Sequence, residues 1–292
     1  MKSYLKEKEN YINELLKESL QEIKYPSVMR EGMEYALLGG GKRIRPILLL
    51  MTLEMLGIDY TKGDGFAIAI EMIHSYSLVH DDLPAIDNDD YRRGQLTSHK
   101  KFGEANGILI GDSLLTYAFY ILSHRRNGLD FETILKLVEL TSKYAGVQGM
   151  IGGQVIDIES ENKEIDLPTL QYIHTHKTGM LIRLPIEGAS IIAKCSEDEK
   201  KALIEYADLI GLAFQIKDDI LDVEGSFEEI GKAVGSDEKL HKSTYPSIFG
   251  LDKTKEMLEE KISEAISIIE KQFGKKASNL IHLARYIKDR NK

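Results

Sequence analysis

An all-α fold is predicted by three features of this 292-residue sequence: helical amphipathic periodicity in several long segments, chain breaks about one helix length apart, and few runs with strand-like alternation. Breaks are expected at Tyr25-Pro26, Gly39-Gly40-Gly41, Gly57, Asn127-Gly128, Gly152-Gly153 and Gly225. Residues 64–83 are apolar on nearly every side, from Phe66 through Ile70 and Ile73 to Leu78 and Val79, which predicts a central helix surrounded by others. Ser196 stands three residues before Glu199, the spacing of a capping box, and opens a long helix that runs apolar into an acidic cluster. Over 252–273, Leu258, Ile262, Ala265, Ile266, Ile269 and Phe273 recur at three- and four-residue intervals with charges between them, an amphipathic helix. Without a Ser- or Pro-rich linker, a low-complexity tract or a short repeat, residues 1–292 read as a single helical domain.

With 42 % hydrophobic residues the chain can bury a large core. A formal net charge of −9 argues against nucleic acid or an anionic membrane as a non-specific partner. One cysteine, Cys195, rules out an internal disulfide. The charged start MKSYLKEKENYINELLKE lacks the apolar core of a signal peptide, and no consecutive apolar run reaches membrane-spanning length; a cytoplasmic protein without a membrane partner is expected.

The segment HDDLPAIDNDDYRRG, residues 80–94, concentrates five aspartates and follows them with Arg92 and Arg93. A second cluster, Asp218, Asp219 and Asp222, closes another apolar helix. One acidic helix end reads as solvated surface; two, each ending an apolar helix, point to cations between carboxylates. Asp218 and Asp222, four apart, share a helix face. Asp81 and Asp87, six apart, would point about 240° away from each other on a regular helix. Pro84 disfavours helical geometry at Leu83, so the helix is expected to stop or bulge there and bring Asp87 back.

Carboxylates without nearby cysteine favour a hard cation, and Mg²⁺ characteristically combines one or two carboxylates with substrate phosphate and water. Phosphate-gripping candidates are Lys42, Arg43 and Arg45 in GGGKRIRP, Arg92, Arg93, Lys177, Lys232 and Lys242, although each alone reads equally as surface. His74 and His80 read as core or cap histidines as readily as ligands, and Tyr76 and Ser77 as core. A rival reading, a histidine-aspartate phosphohydrolase built on His80-Asp81, lacks enough further histidines near the second cluster.

GGGKRIRP, HSYSLVHDDLPAIDNDDYRRG, HKKFGEANGILIGDSLL, GMIGGQVIDI, HKTGMLI, GLAFQIKDDILDVEG and GKAVGSDEKLHKSTYPSIFGL occur in this order over residues 39–251. This series resembles the trans-type polyprenyl diphosphate synthases, nearest to their bacterial farnesyl-forming type. The resemblance implies an all-α isoprenoid-synthase fold around a deep cavity, three Mg²⁺ ions and a homodimer. It implies that Asp81 and Asp87, assisted by Asp82, hold Mg²⁺ from one side, and Asp218, supported by Asp219 and Asp222, from the other. Lys42, Arg45, His74 and Arg93 match the isopentenyl diphosphate site; Arg92, Lys177, Thr178, Gln215, Lys232 and Lys242 match positions around the allylic diphosphate. Lys217 departs from the uncharged residue common in relatives and is left without a role.

The implied reaction is ionisation of dimethylallyl or geranyl diphosphate, attack by isopentenyl diphosphate and loss of a proton, without a protein nucleophile. Tyr76 and Ser77, five and four positions before Asp81 and one turn deeper, are expected to limit product length, Tyr76 as a floor that stops growth at fifteen carbons. Alternatives are a geranylgeranyl-forming enzyme and a non-catalytic prenyltransferase subunit. Terpene cyclases need no isopentenyl diphosphate site, against which GGGKRIRP and Arg93 argue.

Overall fold

The computed structural model describes residues 1–124, 127–224 and 243–290. Lys232, Lys242 and the break expected at Gly225 lie outside the described residues. Among the described residues the chain is helical, apart from loops and one two-stranded hairpin. It divides into two compact units, Lys2–Glu139 and Leu140–Lys292.

The first unit contains α1 (Lys2–Ser19), α2 (Ser27–Leu38), α3 (Ile44–Met55), α4 (Asp64–Asp81), β1 (Tyr91–Arg92), β2 (Gln95–Leu96), α5 (Ser98–Phe102) and α6 (Glu104–His124); the boundary falls within α7 (Phe131–Ala145). The expected central helix is α4, whose Ala67, Ile68, Ile70, Met72 and Ile73 are fully buried. It packs against α6 closely enough that a Cβ on Gly111 would meet the His80 Nε2 at 2.1 Å. That nitrogen lies 3.0 Å from the Ile108 carbonyl, so His80 serves helix packing.

Arg43, a phosphate candidate by sequence, turns inward. Its backbone is left-handed (φ 52°) at the start of α3, and its guanidinium donates to Glu71 (2.8 Å), Asn13 (2.8 Å) and the Leu37 carbonyl (2.6 Å). Arg43 and Glu71 are both buried, so losing one partner strands the other's charge away from water. Glu71→Ala is expected to lower stability by about 3–5 kcal/mol, read as a fall in the urea midpoint.

The second unit contains α8 (Met150–Glu159), α9 (Leu167–Ile173), a π-helical turn (His174–Gly179), α10 (Met180–Ile192), α11 (Glu197–Glu224), α12 (Tyr245–Phe249), α13 (Leu251–Phe273) and α14 (Ser278–Asp289). The predicted capping box opens α11: Ser196 N and Oγ donate to Glu199 Oε2 at 2.9 and 2.8 Å, and Glu199 N donates back to Ser196 Oγ at 3.4 Å. Helix α13 buries Leu258, Ile262, Ala265 and Ile269, the stripe read from the sequence. Tyr206 of α11 is fully buried and donates to the Leu280 carbonyl at 2.8 Å, tying α11 to α14.

Two expectations are corrected. Gly152-Gly153 does not break the chain but lies inside α8. A Cβ on Gly153 would sit 2.1 Å from the Lys177 nitrogen, so glycine is required there by close backbone approach rather than by a turn. Although no consecutive apolar run is long enough to span a membrane, α6 is long and apolar enough in composition to do so. Its apolar residues are distributed around the helix, some buried as in Ile110 and Leu114, others exposed as in Ile108 and Leu109.

Candidate active site

In the first unit α4 stops at Asp81, with Asp82 as its C-cap. The chain then folds back: Ile86 and Asn88 donate to the Leu83 carbonyl, and the Asp87 nitrogen donates to the Asp81 carbonyl at 2.9 Å. The backbone of Asp87 is thereby returned to that of Asp81, as the proline at 84 led one to expect. Asp82 is buried and accepts from Arg92 Nε at 2.7 and 2.9 Å, while Arg92 Nη2 lies 2.5 Å away. Burial pushes the Asp82 carboxyl up, and the Arg92 guanidinium opposes that shift. Asp82 therefore positions Arg92.

Arg92 and Arg93 are placed by the hairpin, in which Tyr91 pairs with Leu96 and Arg92 with Gln95. The two linking residues, Arg93 (φ 53°) and Gly94 (φ 76°), both have positive φ, as a tight two-residue hairpin turn requires. Arg93 Nη1 donates to the Gly40 carbonyl, and a Cβ on Gly41 would come within 2.6 Å of that nitrogen. The three-glycine loop thus makes room for the arginine of a motif some 50 residues later.

Arg45 Nη1 lies 3.2 Å from His74 Nε2. Burial, and next the charge of Arg45, hold the His74 imidazole well below its ordinary 6.5, so the neutral ring receives this bond at Nε2. Lys42, three residues before Arg45 in the chain, is exposed. One turn or so before Asp81, Tyr76 is buried and its hydroxyl has no hydrogen-bond partner; burial first, then Asp81, push the phenol up to about 12. Ser77 Oγ donates to the His74 carbonyl at 2.9 Å and so faces its own helix.

In the second unit, a cleft of about 200 Å³ is lined by Asp157, Lys177, Thr178, Gln215, Asp218 and Asp219, among others. Lys177 and Thr178 ride on the π-helical turn, and Lys177 Nζ is 2.6 Å from Asp157 Oδ2. Gln215 Nε2 donates to Asp218 Oδ2 at 3.2 Å. Asp219 is buried and accepts from the Tyr245 nitrogen at 2.9 Å, which ties α11 to the start of α12. Asp222 is half-buried one turn beyond Asp218. His174 is buried with Nε2 3.9 Å from Asp219, and burial holds its imidazole down to about 4.

Sequence reasoning assigned no role to Asp157, His174 or Arg290. Arg290, in the basic end YIKDRNK, donates to Asp218 and, at 3.1 Å, to the Phe214 carbonyl, its guanidinium lying 4.0 Å from the Phe214 ring centroid. Asp218 thus receives a cation in this structure, in the form of a guanidinium. Each unit offers carboxylates of the kind a hard divalent ion takes: Asp81 and Asp87, whose segments are joined by a backbone bond, in the first, and Asp218, paired with a guanidinium, in the second. Among the described residues no three His, Cys, Asp or Glu side chains form a group that could hold a metal ion by themselves.

The polyprenyl synthetase family model matches residues 26–282. A farnesyl diphosphate synthase of Micrococcus luteus is 49 % identical over 280 residues, 95 % of each chain. One from Geobacillus stearothermophilus is 46 % identical over 263 residues, 88 % of this chain and 87 % of the relative. A crystal structure of an FPP/GFPP synthase from Zymomonas mobilis superposes with a TM-score of 0.88 at 36 % identity, covering 98 % of both chains. With its motifs, helical fold and near full-length matches in agreement, the chain belongs to the polyprenyl synthetase family.

Proposed function

We propose that the protein is a farnesyl diphosphate synthase that condenses isopentenyl diphosphate first with dimethylallyl and then with geranyl diphosphate. The observation that carries this reading is the return of Asp87 to Asp81 beside the cationic turn of Arg92 and Arg93, since it joins metal-binding and diphosphate-binding groups in one short segment. A single catalytic domain is part of this proposal.

Asp81 and Asp87 in one unit, and Asp218 with Asp222 in the other, are the proposed Mg²⁺ ligands. Bound Mg²⁺ would neutralise charge on the departing diphosphate, which favours ionisation of the allylic C–O bond. Arg92 and Lys177 grip the allylic diphosphate, with Lys232 and Lys242 as further candidates; Lys42, Arg45 and Arg93 grip the isopentenyl diphosphate, and neutral His74 receives a hydrogen bond from Arg45. Carbonyl oxygens near Lys177 and Thr178, with the Gln215 amide, face the allylic cation, while apolar walls exclude water that would quench it. The double bond of isopentenyl diphosphate attacks the cation, and the released diphosphate takes the proton.

The test is the chain length of product formed from purified protein, Mg²⁺, dimethylallyl diphosphate and labelled isopentenyl diphosphate. A dominant fifteen-carbon product is expected. A twenty-carbon product would replace the reading with geranylgeranyl formation, and no product from any allylic primer would leave a non-catalytic subunit.

Arg290 competes with cations for Asp218. Exposed ion pairs are worth about 0.2–1 kcal/mol, and the buried guanidinium places this one near the upper end. Arg290→Ala is therefore expected to tighten Mg²⁺ binding up to about fivefold, measured calorimetrically without substrate.

A cytoplasmic homodimer is also proposed. Leu109 and Tyr120, eleven residues apart and so on nearly the same side of α6, are exposed, and a second copy is the occupant proposed for this face. Leu109→Glu is expected to shift the protein to monomer in sedimentation velocity, whereas an unchanged dimer would place the interface elsewhere.

A further inference from the structure

The motif GMIGGQVIDI holds no residue of the machinery proposed above, yet it is built against the turn that carries Lys177 and Thr178. Gly153 lets the α8 backbone approach the Lys177 backbone to a distance that any side chain would forbid. Asp157 stands four residues later, one helical turn along the same face of α8. Its Oδ2 accepts from Lys177 Nζ at 2.6 Å, with both side chains less than a third exposed. Both residues line the cleft that also holds Thr178, Gln215 and Asp218. Glycine and aspartate at this spacing thus act on one lysine: the first sets how near the helix lies, the second where the ammonium points.

Such an anchor has a physical purpose. A lysine ammonium is a point charge on a flexible four-carbon stem, and fixing that stem costs about 2 kcal/mol of rotamer entropy. If the stem is ordered before a ligand arrives, that cost does not fall on binding. Arg92, the cation proposed for the same diphosphate, is held in a comparable way by Asp82.

We propose that Asp157 is a positioning residue for Lys177 in the allylic diphosphate subsite, with Gly153 setting the separation of helix and turn. This rests on reading the cleft as that subsite. Asp157→Asn keeps the shape and removes the charge. It is expected to raise the KM for the allylic diphosphate about five- to tenfold, while the KM for isopentenyl diphosphate, whose proposed ligands lie in the other unit, stays within about twofold. In a Lys177→Ala background the same substitution should add less than about twofold, because the group through which it acts is gone.

A second readout does not depend on turnover. Acylation of Lys177 by an amine-reactive reagent, followed by peptide mass spectrometry, is expected to be several-fold faster in Asp157→Asn and near wild-type in Asp157→Glu, which restores a carboxylate. Unchanged labelling, or full additivity with Lys177→Ala, would overturn the proposal, including the case in which Asp157 merely stabilises α8 and its loss only lowers the melting temperature. Calorimetry with inorganic pyrophosphate and Mg²⁺ separates this from the site assignment. Wild-type protein that binds no pyrophosphate refutes the subsite reading, and labelling alone then decides whether Asp157 orders Lys177.

Discussion

Asp81→Ala is expected to lower the rate of prenyl transfer by about 10³-fold at saturating substrate, with little change in folding. The size follows from the role: removing one preorganised electrostatic group at developing charge costs roughly 10²–10³-fold, and loss of a metal ligand lies at or beyond the upper end. Stability should hold because Asp81 ends α4, where the backbone bond from Asp87 reaches its carbonyl and not its carboxylate. Asp82→Ala provides the contrast. Asp82 is buried and paired with Arg92, so its loss should both destabilise the protein and weaken allylic substrate binding. The measurement is initial rate with labelled isopentenyl diphosphate, alongside a denaturant midpoint for each variant. An Asp81→Ala enzyme within tenfold of wild type would remove Asp81 from the proposed metal site.

Tyr76→Ala is expected to change the product itself, from fifteen carbons to twenty or more. The ring is buried on α4 roughly one turn before Asp81, edge-on to His80 with centroids 5.7 Å apart, and its hydroxyl has no partner to release. Its removal opens apolar volume; in a passive core such a truncation costs about 3–5 kcal/mol. Where a growing isoprenoid tail can enter that volume, product extension is the accompanying effect. Ser77, whose hydroxyl is occupied by the His74 carbonyl, is expected to matter less. Chromatography of dephosphorylated products reads the outcome. A folded variant that still stops at fifteen carbons would show that Tyr76 is core rather than floor.

Much of the fold was legible in the chain because its signals are local. The stripe over 252–273, the Ser196–Glu199 box and the apolar run from Phe66 to Val79 each lie within a few turns, and each became the expected helix. The return of Asp87 was legible for the same reason: proline acts on its immediate neighbours. Gly152-Gly153 misled because a glycine pair has the same letters whether it breaks a helix or lets another backbone approach, and the deciding neighbour, Lys177, is more than twenty residues away.

Charge partners were least legible. Sequence alone singled out the residues proposed for the chemistry, since carboxylates, arginines and glycines at those spacings suit metal and diphosphate. Only the tertiary structure decided that Arg43 turns inward to Glu71, that Asp82 holds Arg92, that Asp157 holds Lys177 and that Arg290 reaches Asp218 across 72 residues of chain. Periodicity specifies which face of a helix is buried through contacts repeated every turn, whereas an ion pair depends on where two distant side chains end, which is settled only when the helices between them have packed.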